Sequence, residues 1–236
     1  EAWLRPAAFR LEASACAGLR RKLRRAAEAG VQARAEAPAM AELQRLNAEW
    51  VAARGAEQGF SMGRFQPGYV AGQRVYVARL GLRPVGFASF HQTKGEWALD
   101  LLRPHPDAPD GTAHALIAAA LADALRAGVP RLSLAAVPLG AFDRETGLAA
   151  RLQRKIAPGA GLAQFKATFA PEWQRLYLAA PGWVALALAA WDIRRAILRP
   201  GPLAPDTGPA APTEAAGPLC ENEFAPGAGA WQRRAS

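Results

Sequence analysis

"RVYVARLGLRPVGFASFHQTKGEWALDLLR" fills residues 74–103 and decides the fold. It divides into three strand-like runs, "RVYVARL" (74–80), "RPVGFASFHQ" (83–92) and "GEWALDLLR" (95–103), separated by two residues each time. Parallel neighbours need a crossover of about a dozen residues or more, so runs this close form an antiparallel meander. "GTAHALIAAALADALRAG" (111–128) has the apolar spacing of a helix, and "VPRLSLAAVPL" (129–139) that of a further strand. The order β-β-β-α-β predicts an α/β fold, a mixed and mostly antiparallel sheet flanked by helices.

The third run raises a question of chemistry. Asp100 and Arg103 stand in an apolar strand just before "PHPDAPDG", a loop that opens the helix. An unpaired buried charge is costly, so the two residues either satisfy one another or face a ligand. Side chains alternate along a regular strand, which would send Asp100 and Arg103 to opposite faces. A bulge would bring them together.

Outward from this core, residues 19–34 read as a helix stopped by Gly30. Five of its six residues from Arg20 to Arg25 are basic: Arg20, Arg21, Lys22, Arg24 and Arg25. Such a run is either a solvated face or a contact for phosphates. Leu43, Leu46, Trp50 and Val51 form one apolar stripe of a second helix over 39–55, followed by the turn-rich "EQGFSMGRFQPGYVAGQ". Further helical pieces are expected near 143–155, 161–168 and 184–198. From Pro200 onward, seven prolines and five glycines in 37 residues predict a disordered tail.

Net charge is +9, which favours polyanionic partners such as RNA or an acidic membrane surface. Two cysteines, Cys16 and Cys220, and three histidines show no ligand spacing, so neither a metal nor a disulfide framework is expected. No run reaches the roughly 18 apolar residues of a spanning helix. The chain opens at Glu1 and is expected to be a piece of a longer protein.

Four motifs occur in a familiar order: "GFSMGRFQPGYV" (59–70), "WALDLLRPHPDAPDGT" (97–112), "RLSLAAVPL" (131–139) and "FKATFAPEWQRLYLAAPG" (165–182). With them, residues 2–190 resemble the C-terminal catalytic domain of the multiple peptide resistance factor family. Its members are phosphatidylglycerol lysyltransferases and alanyltransferases of GNAT-like fold, a fold that commonly carries a bulge in this strand, so the resemblance implies one in 97–103. The resemblance implies three parts: residues 1–55 as the remnant of a truncated first GNAT-like lobe, 56–199 as the second, catalytic lobe, and 200–236 as the tail. It implies transfer of lysine or alanine from aminoacyl-tRNA to the glycerol headgroup of phosphatidylglycerol. No cofactor is implied. The implied setting is the cytoplasmic face of a bacterial inner membrane, with a multi-helix membrane domain lying outside this chain.

The same resemblance assigns Asp100 to orienting or activating the attacking hydroxyl, Arg103 to gripping the lipid phosphate, and Lys166 to the ester carbonyl or the tRNA end. Arg64 and Tyr69, in "MGRFQPGYV", are candidate substrate contacts, with packing roles equally open. Asp110 and Gly111 are a candidate cap and phosphate-binding helix start, although a single glycine there disfavours coenzyme A. The basic residues 20–25 become a candidate tRNA or membrane contact. "QRKIAPGAGLAQFK" departs from the family in lacking a longer aromatic segment with a glutamate. A non-catalytic tRNA- or lipid-binding relic, or a GNAT acetyltransferase, are the alternative readings.

Overall fold

The computed structural model describes residues 1–55, 57, 63–137 and 160–201. Seven strands form one sheet: β1 (Ala2–Leu4), β2 (Val31–Ala35), β3 (Arg74–Leu80), β4 (Arg83–Gln92), β5 (Glu96–Pro104), β6 (Arg131–Ser133) and β7 (Glu172–Trp173). The helices are α1 (Ala17–Glu28), α2 (Met40–Arg54), α3 (Pro67–Ala71), α4 (Thr112–Arg126), α5 (Ala160–Ala167) and α6 (Trp183–Leu198). Strand order is β2-β3-β4-β5-β6-β1-β7. Every pairing is antiparallel except β5 with β6. This is the mixed, mostly antiparallel sheet that the meander predicts, with helices on both faces.

Alternation along the strands fills two cores. Tyr76, Ala78, Ala88, Phe90 and Trp97 pack with α1 and α4 through Leu19, Leu116, Ile117 and Ala120. Val75, Val77, Phe87 and Leu101 pack with α2 through Leu43 and Leu46. Burial on both faces explains why β3 and β4 read as near-continuous apolar runs. No described helix is long and apolar enough to cross a membrane.

Two short strands are not evident in the sequence. "VQARA" is β2, paired along β3 from Val31↔Leu80 to Ala35↔Tyr76, directly after the Gly30 stop of the first helix. "AWL" is β1, inserted between β6 and β7. Strands from 1–55 and from 56–199 therefore hydrogen-bond in a single sheet. Among the described residues of the strand expected over 129–139, Arg131–Ser133 form it. The helix expected at 143–155 and the tail from 202 lie outside the described residues.

The start of α4 also differs from expectation. Gly111, at φ +93°, takes the N-cap position and Asp110 makes no side-chain cap. A methyl group added at Gly111 would stand 2.0 Å from the Lys22 carbonyl oxygen, so the glycine is needed for the approach of α1.

Candidate functional site

The β4–β5 ladder runs in register to Ser89↔Leu101 and resumes at Phe90↔Leu99, leaving Asp100 as the extra residue of a bulge. The bulge resets the alternation, so Asp100, Leu101 and Arg103 all address the α2 side of the sheet. Leu101 joins the α2 core. Asp100 and Arg103 both reach Gly63, from different sides. The Arg103 guanidinium donates to the Gly63 carbonyl at 3.1 Å. A methyl at Gly63 would lie 2.3 Å from Asp100 Oδ1.

Asp100 is held without an ion pair to Arg103. Gln73 Nε2 donates to its Oδ2 at 2.8 Å, and His91 Nε2 stands 3.8 Å from the same oxygen. The Tyr69 hydroxyl lies 2.9 Å from His91 Nε2. Partial burial, then the nearby Asp100 carboxylate, push the Tyr69 phenol up to about 12, so it remains a neutral donor at physiological pH. Gln73 Oε1 is buried with no hydrogen-bond partner. With its amide nitrogen committed to Asp100, this side chain presents an unused acceptor beside the carboxylate. An open cleft of about 470 Å³ lined in part by Gln73, Arg74, Val70, Glu36 and Gln92 adjoins the cluster.

Arg103 has other partners than a ligand. Nε donates to Asn47 Oδ1 at 3.0 Å, and Nη2 to Glu57 Oε1 at 3.1 Å as well as to Gly63 O. Its guanidinium stacks over Trp50 with 4.0 Å to the ring centroid. Burial pushes its pKa down while Glu57 pulls it back, and arginine stays charged throughout. The side chain expected to grip a lipid phosphate instead ties α2 to the segment over Asp100. Asn47, Trp50, Glu57, Gly63, Gln73 and His91 escape the sequence reading, because the contacts that define them span up to 56 residues. Glu57, Gly63 and Gln73, in the turn-rich 57–73 stretch, and Trp50, on the apolar stripe of the second helix, carried a hint.

Lys166 is 2% exposed, and its ammonium donates to the carbonyls of Ala135 and Ala136 at 2.9 and 2.8 Å. Burial lowers its pKa to about 8, with Glu1 pulling the other way. The flanking Phe165 and Phe169 pack on His114 of α4, which fixes α5 against the helix. Burial between these rings lowers the His114 pKa to about 4. The Ala135 it anchors has φ +65°, a conformation a non-glycine residue adopts only under constraint. The β5–β6 ladder ends at Ala98↔Ser133, two residues before Asp100 and two before Ala135. Beyond it the chain follows β1 instead, through Ala2 N to Ala135 O. Asp100 and the Ala135 carbonyl that Lys166 holds thus stand just past the level where the two strands part. Among the described contacts, none joins Lys166 to Asp100 or Arg103.

The remaining sequence candidates separate. Arg64 donates to the Gly201 carbonyl at 2.7 Å and buries an unpartnered Nε. The Asp110 carboxylate accepts from Lys22 at 2.7 Å and Arg25 at 2.8 Å, which lowers its pKa to about 2. The phosphate cradle expected at Asp110 and Gly111 is therefore taken up by α1 and by a carboxylate that would repel an anion. Arg20 donates to the carbonyls of Leu11 and Ala13, and Arg24 pairs with Glu28 at 3.7 Å. Of the five basic residues expected to face a polyanion, Arg21 has no such described tie.

A family model described as phosphatidylglycerol lysyltransferase, C-terminal, matches residues 1–180. A phosphatidylglycerol lysyltransferase of Bacillus subtilis is 30% identical over 150 residues, covering 58% of this chain and 17% of the relative. A C-terminal domain of a lysylphosphatidylglycerol synthetase from Agrobacterium fabrum superposes with a TM-score of 0.69 at 29% identity, covering 83% of this chain and 64% of that one. The L-PGS structure from Bacillus licheniformis gives 0.70 at 26% identity, covering 84% and 65%. The chain thus spans about a sixth of the curated relative and somewhat under two thirds of each solved chain.

Proposed function

This chain belongs to the family of phosphatidylglycerol lysyltransferase C-terminal domains, and from that premise we propose that it transfers an aminoacyl group, lysyl first, from aminoacyl-tRNA to the glycerol headgroup of phosphatidylglycerol. The observation that carries the reading is the bulge at Asp100, which turns a carboxylate to one side of the sheet and leaves it hydrogen-bonded to Gln73 with, among the described residues, the His91 imidazole at 3.8 Å as its nearest basic group. A carboxylate so held is suited to take a proton from a hydroxyl.

The reaction is a transesterification. A lipid hydroxyl attacks the ester carbonyl of the charged tRNA, one ester forms, one breaks, and the proton ends on the departing ribose oxygen. Asp100 accepts that proton and returns it. Gln73 fixes the carboxylate through Nε2. Arg103 acts as a positioning residue, holding Glu57 and Gly63 over Asp100 through contacts described above. Two of the three Lys166 N–H donors go to carbonyls, and the third serves the oxyanion as it develops. Tyr69 borders the substrate, and Arg21 with the outer part of α1 meets the tRNA. Because charged tRNA is the donor, the reaction takes place on the cytoplasmic side of the bacterial inner membrane.

The test is radiolabelled transfer from charged tRNA to vesicles containing phosphatidylglycerol, with lysyl and alanyl donors compared. Asp100→Asn lowers turnover by about two orders of magnitude or more while leaving the melting temperature near that of the parent. Absence of product with every charged tRNA, using the intact protein, refutes the assignment.

A further inference from the structure

Helix α6 contributes no buried side chain and lies beyond residue 180, where the family match stops. The transfer chemistry makes no use of it. At roughly 100° per residue, Val184, Leu188, Trp191 and Leu198 fall on one stripe. They are 51%, 60%, 64% and 54% exposed. Ala189, Ile193, Ala196 and Ile197 are half-buried on the other side, so the stripe points away from the body of the domain. Arg195 falls within it and Arg194 and Arg199 flank it, and with Trp191 and Leu198 they line a concavity of about 350 Å³.

The charges indicate what covers this face. Asp192 is the lone acid of the helix, against Arg194, Arg195 and the adjoining Arg199. A second copy packed on the stripe would bring arginine against arginine across a two-fold axis. An anionic bilayer meets both requirements: acyl chains take the apolar stripe, and guanidiniums reach lipid phosphates while their stems cover apolar surface. We propose that α6 is a docking helix that seats the domain on an anionic phospholipid surface through Val184, Leu188, Trp191 and Leu198, with Arg194, Arg195 and Arg199 on phosphates. The Arg64 bond to Gly201 O ties the chain just past α6 to the residue next to Gly63. Docking therefore turns the Asp100 face toward the surface that supplies the substrate. The inference rests on the lipid-modifying reading for the choice of occupant, but its test does not depend on transfer.

The test is flotation of the whole chain with three vesicles: phosphatidylcholine alone, phosphatidylcholine with phosphatidylglycerol, and phosphatidylcholine with phosphatidylserine. Binding is expected to both anionic mixtures and little to the neutral one, falling as salt rises. Leu188→Glu with Trp191→Glu reduces binding by about tenfold or more, since each apolar side chain loses its transfer free energy. Their exposure predicts an unchanged melting temperature, and transfer to detergent-dispersed phosphatidylglycerol is retained. Asp100→Asn has the reverse profile, with full flotation and no transfer, so the two readings fail separately. Equal flotation of parent and double variant overturns the proposal, as does binding to neutral vesicles alone. A parent dimer by light scattering that the double variant dissolves overturns it too, because a second copy would then cover the stripe.

Discussion

Replacing Gly63 with alanine tests the site without altering any ionisable group. The new methyl would stand 2.3 Å from Asp100 Oδ1 and 2.7 Å from Leu101 Cδ2, where ordinary contact begins at 3.4 Å. The carboxylate must retreat by about 1.1 Å, the difference between 3.4 and 2.3. Leu101 is fully buried and cannot yield as easily, so Asp100 moves. A displacement of about 1 Å at a reacting group costs on the order of 10²-fold, or about 2.7 kcal/mol of transition-state stabilisation. Gly63 is not in the left-handed region, so alanine brings no backbone strain of its own. The assay is kcat/KM for lysyl transfer to phosphatidylglycerol vesicles beside a thermal melt. Expected is a loss approaching that of Asp100→Asn, with a melting temperature within a few degrees of the parent. Transfer within threefold of the parent would refute the role given to the Asp100 geometry. So would a loss explained by global unfolding.

Three further perturbations probe the surroundings. Arg103→Ala leaves Glu57 and the Gly63 carbonyl without their donor and should destabilise by about 3 to 5 kcal/mol in urea titration; Glu57→Gln in the same background should recover part of that loss. Burial lowers the Lys166 pKa from its ordinary 10.5 to about 8. The unfolded chain therefore binds more protons between those values, and the penalty for burying the ammonium, full below pH 8, is relieved as pH rises. The melting temperature of the parent should rise relative to Lys166→Met from pH 8 to 10, and a constant gap would count against a desolvated amine. Asp110 has a depressed pKa of about 2 owing first to Lys22 and then to Arg25. Its contribution is present above the unfolded value near 3.8 and fades as pH falls toward 2. These groups are partly exposed, so Asp110→Asn should cost less than about 1 kcal/mol at pH 7 and nothing near pH 2.

What the sequence alone determined is local. Short gaps between "RVYVARL", "RPVGFASFHQ" and "GEWALDLLR" left no room for crossovers, and a long alanine- and leucine-rich run had to be the helix that packs on them. The bulge was anticipated through the family resemblance, since a regular strand would have sent Asp100 and Arg103 to opposite faces. Tertiary structure decided everything that depends on distant residues meeting. "VQARA" and "AWL" are too short and too mixed to announce themselves, and only edges offered by β3 and β6 make them strands. The fate of each charge was settled the same way. Arg103 found Asn47, Glu57 and Trp50, and Asp110 found Lys22 and Arg25, because a buried or half-buried charge takes the nearest partner that the packing supplies. Sequence spacing encodes no such proximity: the apolar strand singled out Asp100 and the family resemblance Lys166, but neither could name the Gln73, His91 and Gly63 that surround Asp100 or the Ala135 and Ala136 carbonyls that hold Lys166.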